Sequence, residues 1–524
     1  MVVKGIKKTG EYFDSVSLML VARSLGEIEG VDEASVVMGT EENKQILAAS
    51  DMLLDEFVDA SDTDLLIVAR AQDEKVVEQT LVRAEELLLE SKQKKADTGD
   101  YQPKSIEGAM EHLPGANLVI ISVAGRYAGD VAQEALDKGL HVMLFSDNVS
   151  IEKEKSLKEC ARDKGLLVMG PDCGTAIING APLCFANVVK QGDIGIVAAS
   201  GTGLQEISAV IANQGEGISQ AIGTGGRDVK SDIGGIMFME GIKALAADES
   251  TKVIALVSKP PAADVLAKVA EVVKKVKKPV VAILIGGDPE VIAAAGAVPA
   301  RDLEQAGMIA AALARGEDVE GFKEELAGRA EDIRKTAGEE SARMAASQKY
   351  LRGLFSGGTL CDETQLMFKD EIGPVYSPAP IDPAFKLEDV WKSRENTVVD
   401  LGEDEFTVGR PHPMIDFALR RKRIVEEARD PETAVVLLDV VLGYGSNMAP
   451  GEELAPAIAE AKKVAASEGR HLCVICSITG TDEDPQDKAK VRKELEEAGA
   501  LVLPSNAAAS LLTVEIVKLR GGAQ

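Results

Sequence analysis

The fold is decided by residues 194–203, which read Ile194-Gly-Ile-Val-Ala-Ala-Ser-Gly-Thr-Gly203. A short aliphatic run of this kind is typical of a buried parallel strand, and a helix is predicted directly after it. Glycines let the backbone approach a ligand closely, and the amides at a helix N-terminus attract an anion. Ser200 and Thr202 add hydroxyl groups. The stretch therefore predicts an anion-binding turn or, as the simpler alternative, only a tight strand-to-helix turn.

A second turn of the same type occurs later in the chain, as Leu354-Phe-Ser-Gly-Gly-Thr-Leu360. Each turn follows the first strand of a predicted α/β unit. The first unit has predicted strands at 194–198, 219–222, 253–257, 280–285 and 297–299. The second unit has predicted strands at 352–355, 397–400, 434–440, 472–478 and 501–503. Two such turns at matched places favour anion binding over a structural role, with both helix N-termini facing one phosphate.

The two units share further landmarks, as expected for an internal repeat. An arginine follows the second strand of each, in Gly225-Gly-Arg227 and Gly409-Arg410, and the third strand leads into Ser258-Lys-Pro-Pro261 or Gly443-Tyr-Gly-Ser446. Flavodoxin-like sheets bring loops of this kind together at the carboxyl edge of the strands, where ligands bind. We therefore expect one site between the two units.

The fold class predicted for the whole chain is α/β. A small α+β, ferredoxin-like module is expected at residues 1–105, and a Rossmann-like, CoA-binding-type domain at 106–185. The two flavodoxin-like, doubly wound units follow at 186–320 and 346–524. Alternation of strands and helices at this spacing implies right-handed βαβ units on parallel sheets. Residues 316–345 are charged and predicted to be a helical connector.

Composition limits the function classes. The chain has 524 residues, 45% of them hydrophobic, and a formal net charge of -28. Such a surface repels nucleic acid and anionic membranes, so neither is an expected partner. No apolar run is long enough to span a membrane, and the start lacks the apolar region of a signal peptide. Six cysteines are too few for a disulfide scaffold. A reduced, cytoplasmic setting is expected.

Four side chains are candidates for binding or polarising a substrate. Arg227 can pair with a phosphate or carboxylate in bidentate fashion, or form a salt bridge with Asp228 or Asp232. Arg410 and His412 can clamp a carboxylate and polarise a carbonyl, although a histidine there can also stabilise its own loop. Lys259, at the end of a strand beside two prolines, is expected to face the same site.

Several other residues are expected to be structural. Cys473 and Cys476 lie three apart in a predicted strand and so point to opposite faces, and both are predicted to lie in the core, as is Cys173. His112 and His471 also look structural. Asp439 ends a buried strand, where it can orient a cation or cap a helix. No spacing typical of zinc ligands is present, so no metal site is predicted.

The sequence resembles two related families. Gly170-Pro-Asp-Cys-Gly-Thr175 followed by the 194–203 stretch is similar to the α subunit of succinyl-CoA synthetase, in which two helix N-termini flank a phosphohistidine. The C-terminal unit looks like the carboxy-terminal domain of the β subunit. A closer resemblance, over almost the whole chain, is to the FdrA family, and it is carried by Asp14-Ser-Val-Ser-Leu-Met19, Phe145-Ser-Asp-Asn-Val149, Gly165-Leu-Leu-Val-Met-Gly-Pro-Asp-Cys-Gly-Thr175, Val257-Ser-Lys-Pro-Pro-Ala262 and Thr407-Val-Gly-Arg-Pro-His-Pro-Met-Ile-Asp416.

The chain departs from the synthetase in three respects. No stretch resembles an ATP-grasp domain, residues 286–296 contain no histidine, and residues 64–130 lack a CoA-seating glycine turn. These departures argue against an ATP-driven ligase that acts through a phosphohistidine, and against a requirement for CoA.

The FdrA resemblance implies a subunit of oxamate carbamoyltransferase, which converts oxalurate and phosphate to oxamate and carbamoyl phosphate in allantoin degradation. The enzyme would need no cofactor. It would use phosphate or carbamoyl phosphate as substrate and work with companion subunits in an oligomer. The expected phosphate-binding residues are Ser200, Gly201, Thr202, Gly203, Ser356, Gly357, Gly358 and Thr359. Two alternatives remain open: an acyl-CoA ligase (NDP-forming) with an ATP-grasp partner, and a non-catalytic scaffold subunit.

Overall fold

The computed structural model describes residues 1–96, 103–407 and 411–521, apart from Tyr12, Asp14, Glu27 and Glu29. The chain divides into two compact units, which are different from the two α/β units predicted from the sequence. The first contains Met1–Pro114 and Glu403–His412, and the second contains Gly115–Gly402 and Pro413–Gln524.

The first unit contains a three-stranded antiparallel sheet in the order β1-β3-β2. Its elements are β1 (Val2–Lys8), α1 (Ser15–Gly26), β2 (Val31–Met38), α2 (Glu41–Ala49), β3 (Leu65–Ala71), α3 (Glu74–Ala96) and α4 (Ile106–His112). The central strand β3 is buried on both faces: Leu65 and Ile67 pack with α1 and α3, whereas Leu66 and Val68 pack with Phe57 on the other face.

The second unit begins with a small parallel sheet, β4-β5-β6. Its elements are β4 (Leu118–Ile121), α5 (Gly125–Asp137), β5 (His141–Leu144), α6 (Ile151–Lys164) and β6 (Val168–Met169). Ser150 caps α6 by accepting a hydrogen bond from the Lys153 amide, and Gly165 ends this helix in the left-handed conformation. Strand β4 ends at Ile121, and α5 begins four residues later at Gly125.

A seven-stranded sheet follows, in the order β13-β12-β11-β9-β10-β7-β8. Its elements are β7 (Thr175–Ile178), β8 (Ala181–Cys184), β9 (Gln191–Ala199), α7 (Gly201–Asn213), β10 (Ile218–Gly223), α8 (Ile236–Ala247), β11 (Val253–Ser258), α9 (Ala263–Val273), β12 (Val280–Leu284), α10 (Pro289–Ala294), β13 (Val298–Pro299) and α11 (Leu303–Arg315). Strands β9 to β13 are parallel in the flavodoxin-like order 2-1-3-4-5, and the hairpin β7–β8 extends this sheet in antiparallel fashion.

The last sheet is parallel, with the order β15-β14-β16-β17-β18, and so repeats the flavodoxin-like order. The elements are α12 (Lys323–Arg343), β14 (Tyr350–Phe355), α13 (Gly358–Glu371), β15 (Thr397–Asp400), α14 (Asp404–Thr407, in the first unit), α15 (Ala418–Glu427), β16 (Thr433–Val441), α16 (Pro450–Ser467), β17 (Cys473–Thr479), α17 (Lys488–Glu497), β18 (Leu501–Leu503) and α18 (Asn506–Leu519).

One hydrophobic core joins the seven-stranded and five-stranded sheets. It includes Ile196 and Val257 from one sheet, Leu437 and Ile475 from the other, and Leu204 of α7. This shared core fixes α7 against α13, which begin directly after β9 and β14, the first parallel strands of their sheets. Among the described helices, none combines the length and the apolar character that a membrane crossing requires.

Candidate functional site

The first glycine-rich turn forms the N-terminus of α7. Ser200 is the N-cap residue, and its hydroxyl oxygen accepts a hydrogen bond from the Gly203 amide at 2.9 Å. A helix leaves its first amides without an intrahelical acceptor, and this applies to Gly201 and Thr202, which are both partly exposed. The positive end of the helix dipole adds to the attraction for an anion.

The second turn lies against the first. The Ser200 and Thr359 hydroxyl oxygens are 2.6 Å apart, so the two residues share a hydrogen bond. A Cβ atom on Gly357 would lie 3.0 Å from Thr202 Cγ2, and one on Gly203 would lie 3.1 Å from Thr359 Cγ2. A side chain at either position would therefore press on a residue of the other turn. The structure brings together the two turns that the sequence singles out.

A buried carboxylate holds the second turn from beneath. Asp439 of β16 accepts hydrogen bonds from the Ser356 amide at 2.8 Å, the Ser356 hydroxyl at 3.0 Å and the Gly357 amide at 2.8 Å. Its charge is balanced by Arg420, whose guanidinium lies 2.5 Å away. A protein carboxylate therefore accepts from the donors of Ser356 and Gly357, and their predicted role in binding phosphate stays a prediction. Gly358 and Thr359 are the part of this turn left for a ligand.

Lys259 brings a positive charge to the N-terminus of α13. Its Nζ atom lies 3.1 Å from the position that a Cβ atom on Gly358 would occupy, and the residue is half-buried. The carboxylate of Asp400, at the end of β15, contacts the same position and accepts a hydrogen bond from the Gly402 amide at 2.8 Å. Lys259 therefore lies beside the second glycine-rich turn, and its role in binding a substrate stays a prediction.

Arg227 is engaged elsewhere. Its Nη2 atom donates to the Val149 carbonyl oxygen at 2.8 Å and lies 2.8 Å from Glu154 Oε2. The structure therefore pairs Arg227 with Glu154 rather than with Asp228 or Asp232, and its role as a substrate clamp stays a prediction. Asp228 instead accepts hydrogen bonds from the Phe238 amide and the Lys158 ammonium group, which binds α6 to the start of α8.

The structure does not test the predicted roles of Arg410 and His412. Arg410 lies outside the described residues. His412 is described and belongs to the first unit, whereas both glycine-rich turns belong to the second. Their predicted role as a carboxylate clamp stays a prediction.

The other histidines and the singled-out cysteines are structural. His471 Nε2 lies 2.6 Å from Glu340 Oε2, His141 Nδ1 accepts from the Leu167 amide at 3.0 Å, and His112 contacts the carbonyl oxygen of its own helix. Cys173, Cys473 and Cys476 are buried, as predicted. Burial raises the pKa of the Cys173 and Cys476 thiols to about 12, so neither is a thiolate near neutral pH.

Sequence reasoning missed two residues of the site. Arg420 lies in a run of basic residues on α15, and nothing local separates it from its exposed neighbours. Thr175 begins β7, and its Oγ1 atom is the only atom within 4 Å of the Cβ position of Gly201, apart from chain neighbours and the helix backbone, in the described chain. The Asn179-Gly180 pair, a strong hairpin signal, predicts the β7–β8 hairpin that positions it.

Three domain families match the chain. Residues 1–104 match "AllF, heavy metal-associated domain", residues 189–286 match "CoA binding domain", and residues 354–516 match "CoA-ligase". The CoA-binding match falls on the seven-stranded sheet that carries the first turn, and not on residues 106–185, where the sequence predicts a CoA-binding-type domain.

A heavy metal does not fit the N-terminal module. Residues 1–104 contain neither cysteine nor histidine, so the thiolate and imidazole ligands that soft and borderline metals prefer are missing. Within the described part of the chain, no group of carboxylate, thiol or imidazole side chains is arranged to hold a metal ion.

Two known proteins are similar to this chain over different lengths. The chain is 44% identical to the Escherichia coli K12 protein YahF over 519 residues, covering 99% of each chain. It is 31% identical to succinate–CoA ligase [ADP-forming] subunit alpha 1 of Archaeoglobus fulgidus over 175 residues, which are 33% of this chain and 58% of that subunit.

Among solved structures, a Ca. Korarchaeum cryptofilum acetyl-coenzyme A synthetase in complex with phosphate and ADP aligns at a TM-score of 0.34 with 15% identity, over 81% of this chain and 87% of that chain. The chain therefore belongs to the family of YahF, and it contains a CoA-binding and a CoA-ligase domain.

Proposed function

We propose that this chain is a subunit of an acyl-CoA ligase-type enzyme that binds phosphate, or the phosphoryl group of an acyl phosphate, between the N-termini of α7 and α13. The supporting observation is the shared hydrogen bond between Ser200 and Thr359 at 2.6 Å, which joins two helix N-termini side by side. A partner subunit would supply the nucleotide site, because no ATP-grasp region is recognisable in the sequence. Such a subunit would work in the cytoplasm as part of an oligomer.

The residues at the site support displacement of phosphate from an acyl phosphate. When a thiol such as that of CoA attacks the acyl carbon, the carbon–oxygen bond to phosphate breaks and negative charge grows on the departing phosphate. The Gly201 and Thr202 amides and the Lys259 ammonium group are arranged to stabilise that charge. No covalent enzyme intermediate is needed for this half-reaction.

A substitution at Gly201 tests the binding site. A Cβ atom there would meet only Thr175 Oγ1, at 3.7 Å, an ordinary contact, so Gly201→Ala retains the fold while it fills the space in front of the amides. We expect inorganic phosphate to raise the melting temperature of the native chain and the affinity for phosphate to fall at least tenfold in Gly201→Ala.

Gly338→Ala on α12 is the matched control, because nothing lies within 4 Å of its Cβ position in the described chain. Equal phosphate affinity in the native chain and Gly201→Ala, or no phosphate binding by the native chain, would refute the proposed site and favour a non-catalytic scaffold.

A second candidate is carbamoyl transfer, in which the same cradle holds carbamoyl phosphate. It is favoured by the absence of histidine from residues 286–296, since carbamoyl transfer requires no phosphohistidine. Phosphate release from carbamoyl phosphate that depends on oxamate supports this candidate. Release from an acyl phosphate that depends on CoA supports the ligase. Both assays require the companion subunits.

A further inference from the structure

The hydroxyl group of Thr175 is buried without a partner. The residue is 1% exposed, and its Oγ1 atom forms no hydrogen bond within the described chain. A buried hydroxyl in this state costs free energy, so such groups in native proteins call for an explanation.

The same hydroxyl points at the N-terminus of α7. Thr175 Oγ1 lies 3.7 Å from the position of a Cβ atom on Gly201, the first residue of a helix whose first amides lack intrahelical acceptors. The residue begins β7, whose backbone is held in antiparallel pairing with β8 and β10. The position of the hydroxyl is therefore set by the sheet.

We propose that Thr175 is a ligand-binding residue, whose hydroxyl donates a hydrogen bond to a phosphate oxygen held by the Gly201 and Thr202 amides. This inference rests on the proposed phosphate site and adds a neutral donor to the charge of Lys259. A phosphate oxygen accepts several hydrogen bonds at once, and a bond to a charged acceptor is stronger than one between neutral groups. The bound anion would give the buried hydroxyl its missing partner.

The test compares Thr175→Val, which keeps the shape and removes the hydroxyl, with the native full-length chain. Binding of inorganic phosphate is measured by calorimetry, and melting temperature is measured with and without phosphate. We expect phosphate to bind about tenfold more weakly to Thr175→Val, whereas Thr175→Ser stays within about threefold of the native chain. Without phosphate, Thr175→Val should melt at the same temperature as the native chain or higher, because the unpaired hydroxyl is gone.

Thr513→Val is the control, since this buried hydroxyl bonds the Ala509 carbonyl oxygen within α18, and its phosphate affinity should be unchanged. Thr175→Ala replaces the valine variant if valine does not fold. Native affinity in Thr175→Val, combined with weak binding by Gly201→Ala, overturns the role of Thr175 and leaves the phosphate site standing. Absence of phosphate binding by the native chain overturns both.

Discussion

Binding measurements can isolate the contribution that the charge of Lys259 makes to phosphate affinity. We expect Lys259→Met to weaken phosphate binding about tenfold and to make the remaining affinity less sensitive to salt, because a cation close to the anion is lost. Titration with inorganic phosphate at low and high ionic strength measures both effects.

Lys268→Met is the matched control for this lysine. Lys268 lies on α9, pairs with Asp264 at 3.0 Å, and has a side chain that is 52% exposed. Its replacement should leave phosphate affinity unchanged. Equal salt dependence in Lys259→Met and the native chain would place Lys259 outside the binding site.

Individual residues of the site were predictable to different degrees. Ser200 and Gly201 could be found because the chemistry of a turn is local to its sequence. The pairing of Arg227 with Glu154 could not, because the choice among several carboxylates depends on how α6 packs against the loop after β10. The sequence places Asp439 at the end of a buried strand. Its hydrogen bonds to Ser356 and Gly357 cannot be predicted without knowing the register between β14 and β16.

At the scale of elements, α7 and α13 each bury a carboxyl group in the core between the two sheets. Glu206 of α7 accepts hydrogen bonds from the Thr479 hydroxyl at 2.5 Å and the Asn506 amide at 3.2 Å. Glu363 of α13 accepts from the Leu303 amide and the Asn506 side chain, both at 2.7 Å. Burial raises the pKa of Glu206 to about 7 and that of Glu363 to about 8.

These raised pKa values make stability depend on pH. An exposed glutamate in the unfolded chain loses its proton near its ordinary pKa, while the folded chain retains the proton on Glu206 to about pH 7. The folded state therefore binds more protons over this range, and the free energy of unfolding falls as pH rises.

In the native chain the free energy of unfolding should fall between pH 5 and pH 8. We expect Glu206→Gln to make this fall smaller by up to about 3 kcal/mol, since each pKa unit corresponds to about 1.4 kcal/mol. Urea unfolding at the two pH values measures the difference. The exposed Glu271, whose pKa is lowered by its hydrogen bond with Lys274, provides the control variant Glu271→Gln, which should keep the native pH profile. If the free energy of unfolding changed with pH equally in Glu206→Gln and the native chain, this would contradict a raised pKa at Glu206.

The strands of the two flavodoxin-like sheets were predictable because each is a short aliphatic run between turn residues. The strand predicted at 397–400, for example, coincides with β15. The hairpin β7–β8 was missed because its strands are only four residues long and lie between a loop and a parallel sheet. Its turn, with positive φ at Asn179 and Gly180, is the signal that was available.

At the scale of the second unit, duplication of one topology produces the site. Both parallel sheets have the order 2-1-3-4-5, in which the first and third strands are neighbours where the order reverses, and ligands bind at such a point. Ser200 follows β9 and Ser356 follows β14, which are the strands numbered 1 in this order. Packing the two sheets through a shared core brings these points into contact, which local sequence patterns cannot predict, since it depends on how α7, α11, α13 and α18 fit together.

The last prediction concerns phosphorylation of a histidine in the whole chain. A ligase cycle through a phosphohistidine requires a histidine that reaches the cradle, and residues 286–296 contain none. His112, His141 and His471 are each engaged in a hydrogen bond within the described chain. We expect no acid-labile phosphate on the full-length chain after incubation with isotope-labelled ATP and its companion subunits, even where phosphate itself binds. A succinyl-CoA synthetase treated in parallel should become labelled. Acid-labile label on this chain, lost in a His412→Asn variant, would instead establish a phosphohistidine cycle and bring the first unit into the chemistry.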